Sequence, residues 1–214
     1  SAPGVRLKTL INLRWAAVGG QSLALIFVTL VLGFPLEQLP LWGAVFTLAL
    51  FNAILLIHYP SGQQLTGRQA SFQLAFDLLQ LATLLYLTGG LQNPFSVLIL
   101  VPVTISATIL SARSTVFLLF LAFVSMSVLA LYHLPLPWSE DALDLSTTYL
   151  FGVAVALAIT MAFITTYAWR VSDEARKRAQ ALVATQSALA REQKLSAVGS
   201  LAAAAAHELS LIHI

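Results

Sequence analysis

The sequence contains no cysteine. Disulfides, cysteine-ligated metals and thiol redox chemistry within the chain are therefore excluded. Charge is nearly as scarce: 9% of the 214 residues are Asp, Glu, Lys or Arg, against about 25% in an ordinary soluble domain. A soluble fold of this length needs a polar skin, and eleven basic and nine acidic side chains cannot supply one. A soluble globular enzyme, a disordered chain and a nucleic-acid-binding domain are excluded on that ground. Polar–apolar alternation at period two, the mark of a membrane β-barrel, is missing too. So is any internal repeat. What the sequence has is apolar surface: 58% of residues are hydrophobic and the mean hydropathy is +0.85. The chain reads as an all-α integral membrane protein.

A helix needs about 20 mainly apolar residues to cross the hydrocarbon core. Six segments qualify, at approximately Trp15–Gly33, Leu41–His58, Ser71–Thr88, Phe95–Ser111, Ser114–Leu134 and Leu145–Trp169. Turn formers separate them: Pro35 and Pro40, Pro60-Ser61-Gly62, Gly89-Gly90, Ser111 to Ser114, and Pro135 with Pro137. The charges then orient the bundle. Arg6, Lys8, Arg14, Arg68, Arg113 and the six basic residues from Arg170 to Lys194 all fall on one side when six spans alternate. The opposite loops carry only Glu37, Glu140, Asp141 and Asp144. The positive-inside rule places both termini in the cytoplasm. The isoelectric point of about 9.2 thus reports topology and contact with anionic lipid, not a nucleic-acid partner.

After Trp169 the composition changes. Residues 172–193 are rich in Ala, Arg, Lys, Glu and Gln, good helix formers. No Gly or Pro interrupts 153–198, so the sixth span is expected to continue as a helix of about 69 Å over those residues. Its apolar residues beyond the membrane are Leu182, Leu189, Leu195, Val198, Leu201 and Ala205. That narrow stripe suits a dimeric coiled coil with one local change of phase. The alternative is a solvated single helix held by Glu and Arg pairs. Near the end of the chain, five alanines precede His207-Glu208-Leu209. A neutral imidazole can attack a phosphoryl group, and an adjacent carboxylate can hold its tautomer and take the proton. By itself the dipeptide is a weak signal, since a lone His near a chain end is usually just a solvated side chain.

Ser196-Ala197-Val198-Gly199 through Ala206-His207-Glu208-Leu209 resembles the H-box of sensor histidine kinases, and the Ala-rich run is similar to that of the RegB/PrrB redox-sensing subgroup. A second match is independent of the first. Gly89-Gly90-Leu91-Gln92-Asn93-Pro94-Phe95, followed by Val101-Pro102-Val103-Thr104, resembles that subgroup's third external loop and fourth span. Leu10 to Trp15 and Gly20-Gln21 are similar as well, so the resemblance covers nearly the whole chain. It implies a homodimeric sensor of the bacterial inner membrane that binds ubiquinone through Gly89, Gly90, Gln92, Asn93, Pro94 and Phe95. It implies His207 as phosphoacceptor, Glu208 as the assisting acid or base, and a response regulator as partner. After Leu209 the chain departs from the family, reading Ser210-Leu211-Ile212-His213-Ile214 where a small or polar residue, then Thr, Pro and Leu, follow in relatives. The family's ATP- and Mg-binding domain would lie further on, so this chain by itself is expected to bind no ATP and to be inactive.

Residue chemistry gives the loop two readings. Gly89 and Gly90 end the third helix in left-handed geometry, Asn93 caps the fourth and Pro94 takes its first position, which makes a tight turn and nothing more. The functional reading adds an uncharged site at the membrane boundary. Uncovered glycine N–H groups, the Gln92 and Asn93 amides and the Phe95 ring would meet a quinone there. Within the third span Gln73, Asp77 and Gln80 share one stripe. Asp77 is expected to be protonated or paired with Arg68 or Arg113, with helix–helix hydrogen bonding favoured over a proton relay. Pro102 is expected to kink the fourth span, with Thr104 and Ser106 re-satisfying the backbone. His58 and His133 stand at opposite ends of their spans and do not combine into a metal site. Four segments result: 1–14, a cytoplasmic arm; 15–169, the six-span sensor; 170–195, a coiled-coil linker; and 196–214, the start of a phosphoacceptor domain. A small transporter and a non-catalytic scaffold are the alternatives, the first disfavoured by a single intramembrane carboxylate.

Overall fold

The computed structural model describes residues 5–59, 64–135 and 146–212, with side chains for 7–59, 64–135 and 146–202. It is a bundle of apolar helices. α1 covers Leu7–Leu30, α2 Gln38–His58, α3 Gly67–Leu87, α4 Leu100–Ile109, α5 Ala112–Leu131 and α6 Thr147–Ile212. Local chemistry sets several of the ends. Thr66 and Gln69 form a reciprocal capping box at the start of α3. The Ser111 hydroxyl accepts from Ser114 N–H at the start of α5. A two-residue antiparallel ladder, β1 (Val5–Arg6) on β2 (Gln64–Leu65), ties the chain ahead of α1 to the α2–α3 connection.

α1 begins eight residues before the expected first span. Leu7, Leu10 and Ile11 are buried against Leu55, Leu65, Leu74 and Leu118, so residues expected to form a flanking arm instead supply the first two turns of a membrane helix. Apolar burial overrides the local charge of Lys8 and Arg14. A second core joins α3, α4 and α5 through Leu78, Leu85, Ile99, Val103, Ala122 and Met126, with Met161 of α6 added. A third, formed by Leu41, Val45 and Leu84, lies between α2 and α3.

Among the described residues, five helices are long and apolar enough to cross a membrane, and a sixth apolar segment is the shorter Pro94–Ile109. It begins as a 3-10 helix over Pro94–Ile99 and becomes α4 at Leu100. The steeper 3-10 rise of about 2.0 Å per residue stretches this segment to about 27 Å, close to the hydrocarbon thickness of about 30 Å. Pro102 stands in the first turn of α4, two residues after the 3-10 helix gives way to α geometry. Thr104 Oγ1 donates to the Leu100 carbonyl at 2.9 Å and Ser106 Oγ to the Val103 carbonyl at 2.6 Å.

The chain divides into two compact units, 1–169 and 170–214. In the second unit most described side chains of α6 are exposed, including Leu182, Leu189, Leu195, Val198 and Leu201. Lys177 meets Asp173 at 2.8 Å, and Arg178 meets Glu174, both one turn apart. The Asp173 carboxylate holds the Lys177 ammonium above the ordinary lysine range.

Candidate ligand site

Between α3 and the fourth apolar segment the backbone makes two left-handed residues in succession, Gly89 (φ 96°) and Gly90 (φ 57°). Gly90 is required for a second reason. A Cβ there would come within 2.6 Å of the Leu129 carbonyl and 2.8 Å of the His133 side chain, so the loop lies directly on the end of α5. Leu134 N–H donates to the Tyr86 carbonyl at 2.9 Å and fastens the same junction. Asn93 then organises the turn. Its Oδ1 accepts from Phe95 N–H at 2.8 Å, and its Nδ2 donates to Thr88 at the carbonyl (3.0 Å) and at Oγ1 (2.7 Å). Pro94 follows at the first helical position, as expected from its fixed φ.

The six loop residues do not converge on one space. Asn93, Pro94 and Phe95 line a cavity of about 540 Å³ with Gln21, Phe27 and Leu85. Gly89 and Gly90 are buried in the junction, and Gln92 is not among the residues lining that cavity. The amide of Asn93 is committed to the turn, whereas Phe95 is 46% exposed. Its ring is the loop's open apolar contact.

Further along the bundle lies a polar ladder that the sequence reading only partly foresaw. Arg14 on α1 grips Asp77 on α3 with two donors, Nε to Oδ1 at 2.6 Å and a terminal nitrogen to Oδ2 at 3.0 Å. The expected partners, Arg68 and Arg113, do not make this pair. The Arg14 side chain is 1% exposed and that of Asp77 21%. The second terminal nitrogen of Arg14 reaches Asn52 Oδ1 on α2 at 3.4 Å, and Asn52 Nδ2 donates to the Ile11 carbonyl at 3.0 Å. The guanidinium carbon also sits 4.9 Å from the centre of the Phe51 ring. One turn further along α3, the Gln80 and Gln21 amides bond each other reciprocally at 3.1 and 3.2 Å, and Gln80 Nε2 also donates to the Ala44 carbonyl. Gln73 is buried with its Oε1 unpartnered.

A second cavity, of about 340 Å³, runs beside this ladder between α1, α3 and α4. Arg14, Gln21, Asp77, Gln80 and Pro102 are among its walls. It shares Gly20, Gln21, Leu81 and Leu98 with the larger cavity, so the two adjoin across those residues along one cleft face. Both volumes fall in the range that holds small ligands. Arg14, Asn52 and Gln21 went unrecognised as site residues. The available signal was spacing: Arg14 and Gln21 are seven residues apart in α1, and so lie on one face. His207 and Glu208 lie within α6, with their side chains outside the described residues. Pro137, Trp138, Glu140, Asp141 and Asp144 also lie outside them.

Apolar helices joined through buried polar contacts, with a cleft reaching their lipid-facing rim, define a multi-pass membrane domain. The chain belongs to the PilS-like transmembrane domain family, whose family model matches residues 6–183. It is similar to sensor histidine kinase RegB of Cereibacter sphaeroides, 44% identical over 205 residues, which are 95% of this chain and 44% of the relative. A second RegB from the same species is 45% identical over 206 residues, covering 96% of this chain and 45% of the relative. The chain thus spans less than half the length of the curated relatives it matches. No solved structure matches it.

Proposed function

We propose that this chain is the membrane sensor of a two-component histidine kinase and that it responds to the redox state of the quinone pool. The observation that carries the reading is the likeness to RegB along 95% of the chain. The cleft supports it physically. It is apolar, and its rim residues Leu13, Phe27, Leu98 and Val101 are exposed, as entry of a lipid-soluble ligand from the bilayer requires. Phe95 supplies an aromatic wall at the end nearer the loop.

In this reading the protein sits in the bacterial inner membrane with both termini cytoplasmic, and two copies pair along α6. Oxidised quinone binds one arrangement of the bundle better than the other and biases the register of the paired helices. In the longer kinase an imidazole nitrogen of His207 attacks the γ-phosphorus of ATP. The N–P bond forms as the P–O bond to ADP breaks, and Glu208 receives the ring proton. The ATP and Mg come from the kinase's own nucleotide-binding domain. The phosphoryl group then passes to an aspartate of a response regulator.

The ligand half is tested by thermal unfolding in nanodiscs with a fully substituted benzoquinone bearing a ten-carbon chain. The oxidised quinone raises the melting temperature of the chain, and the combined Phe95→Ala and Asn93→Ala changes abolish the rise. An unchanged melting temperature at saturating quinone contradicts quinone sensing. The kinase half is tested by ³²P transfer from ATP in the full-length protein. Labelling disappears in His207→Gln, and labelling that persists there contradicts the assignment.

A further inference from the structure

We infer that the ring of the bound quinone sits at the Gln21–Gln80 amide pair, between α1 and α3, and that Gln21 donates the hydrogen bond to its carbonyl. This rests on the quinone reading above and moves the headgroup from the glycine loop to the middle of the cleft. Three observations carry it. First, Gln21 lines both of the adjoining cavities. A ring placed there leaves the larger cavity, bounded by Phe27, Leu85 and Phe95, for the apolar chain. Second, the donors balance in favour of Gln21. Both hydrogens of Gln80 Nε2 are used, on Gln21 Oε1 and the Ala44 carbonyl. Gln21 Nε2 donates only to Gln80 Oε1, so its second hydrogen has no protein acceptor among the described residues. Third, the loop amide that would compete, that of Asn93, is spent on Thr88 and Phe95.

The arrangement also accounts for ligand class. The walls of the cleft are apolar except for the Gln pair, Thr88 and Asn93 at the loop, and the mutually neutralised Arg14 and Asp77. An uncharged ring with acceptor oxygens fits such a site, whereas an anionic headgroup would meet Asp77 without a free cation. Gln21 is half-buried, and a donor there that gains an acceptor is satisfied, whereas a ligand that covers it without offering an acceptor is penalised.

The test uses the whole chain in nanodiscs and the same decyl benzoquinone, together with a photoreactive azido derivative. The unmodified protein binds saturably, and the photolabel appears on peptides of α1 and α3 that contain Gln21 and Gln80. Gln21→Met, similar in volume but with no N–H, weakens binding at least tenfold; it also strands the Gln80 amide and lowers the ligand-free melting temperature, so affinity is compared at a temperature where both proteins are folded. Labelling confined to 93–95, or wild-type affinity in Gln21→Met, overturns this placement and leaves quinone sensing standing. Absence of saturable binding to the unmodified protein overturns both. If Gln21→Met does not fold, the position of the label on the unmodified protein decides.

Discussion

Arg14 carries a full charge into a helix interface where Asp77, Asn52 and the Phe51 ring are what meets it. Breaking such a pair from one side strands the other charge, at a cost of about 3–5 kcal/mol, whereas replacing both partners with apolar residues is often close to neutral. Arg14→Leu alone is therefore expected to lower the unfolding free energy by about 3 kcal/mol, and the double change Arg14→Leu with Asp77→Leu to recover most of it. Denaturant titration in detergent micelles measures both. Additive losses would show that the pair contributes nothing as a pair. At Gly90 the prediction is steric. Gly90→Ala places a methyl group 2.6 Å from the Leu129 carbonyl at a positive φ, which costs on the order of 1–3 kcal/mol. The same titration reads it, and a neutral result would mean that the loop does not pack on α5 as described. Asp77 was legible in the sequence as an intramembrane carboxylate that needed a partner. Its partner was not, because Arg14 reads by composition as one more flanking positive charge until α1 is known to begin at Leu7.

Among the elements, the helices were legible because long apolar runs and turn formers leave few alternatives. The centres of all six expected spans fall in observed helical segments. The errors lie at ends and in helix type. Sequence periodicity separates 3-10 from α geometry poorly, so Pro102 was expected to kink a helix that in fact starts two residues before it. The loop was legible in its backbone chemistry, since Gly89, Gly90, Asn93 and Pro94 each have a conformational reason to be there. Which of them face open space depends on how α5 docks, and the loop sequence does not encode that. From the first-turn position of Pro102 it follows that Pro102→Ala changes stability by less than about 0.5 kcal/mol. A mid-helix proline would instead release several times that, and thermal unfolding distinguishes the two. For α6, the exposed stripe at Leu182 and Leu189 has the seven-residue spacing of a coiled-coil seam. Because the chain has no native cysteine, single cysteines report cleanly. Leu182→Cys and Leu189→Cys are expected to form inter-chain disulfides readily, and Ser187→Cys slowly. Equal rates at all three positions would argue for an unpaired helix.

On the scale of the whole molecule, regulation requires only a difference in affinity between two states. A ligand that prefers one bundle arrangement 100-fold shifts the balance by about 2.7 kcal/mol, comparable to the cost predicted for stranding Asp77. The cleft is suited to that task because its walls come from α1, α3 and α4, held together partly by polar pairs that rearrange without loss of apolar core. The direct measurement places spin labels at position 189 of the full chain in nanodiscs and reads the inter-chain distance by pulsed EPR, with the decyl benzoquinone oxidised and then reduced. The account predicts two different distance distributions, the difference vanishing in Phe95→Ala. One distribution, identical with oxidised quinone, with reduced quinone and with none, would contradict it.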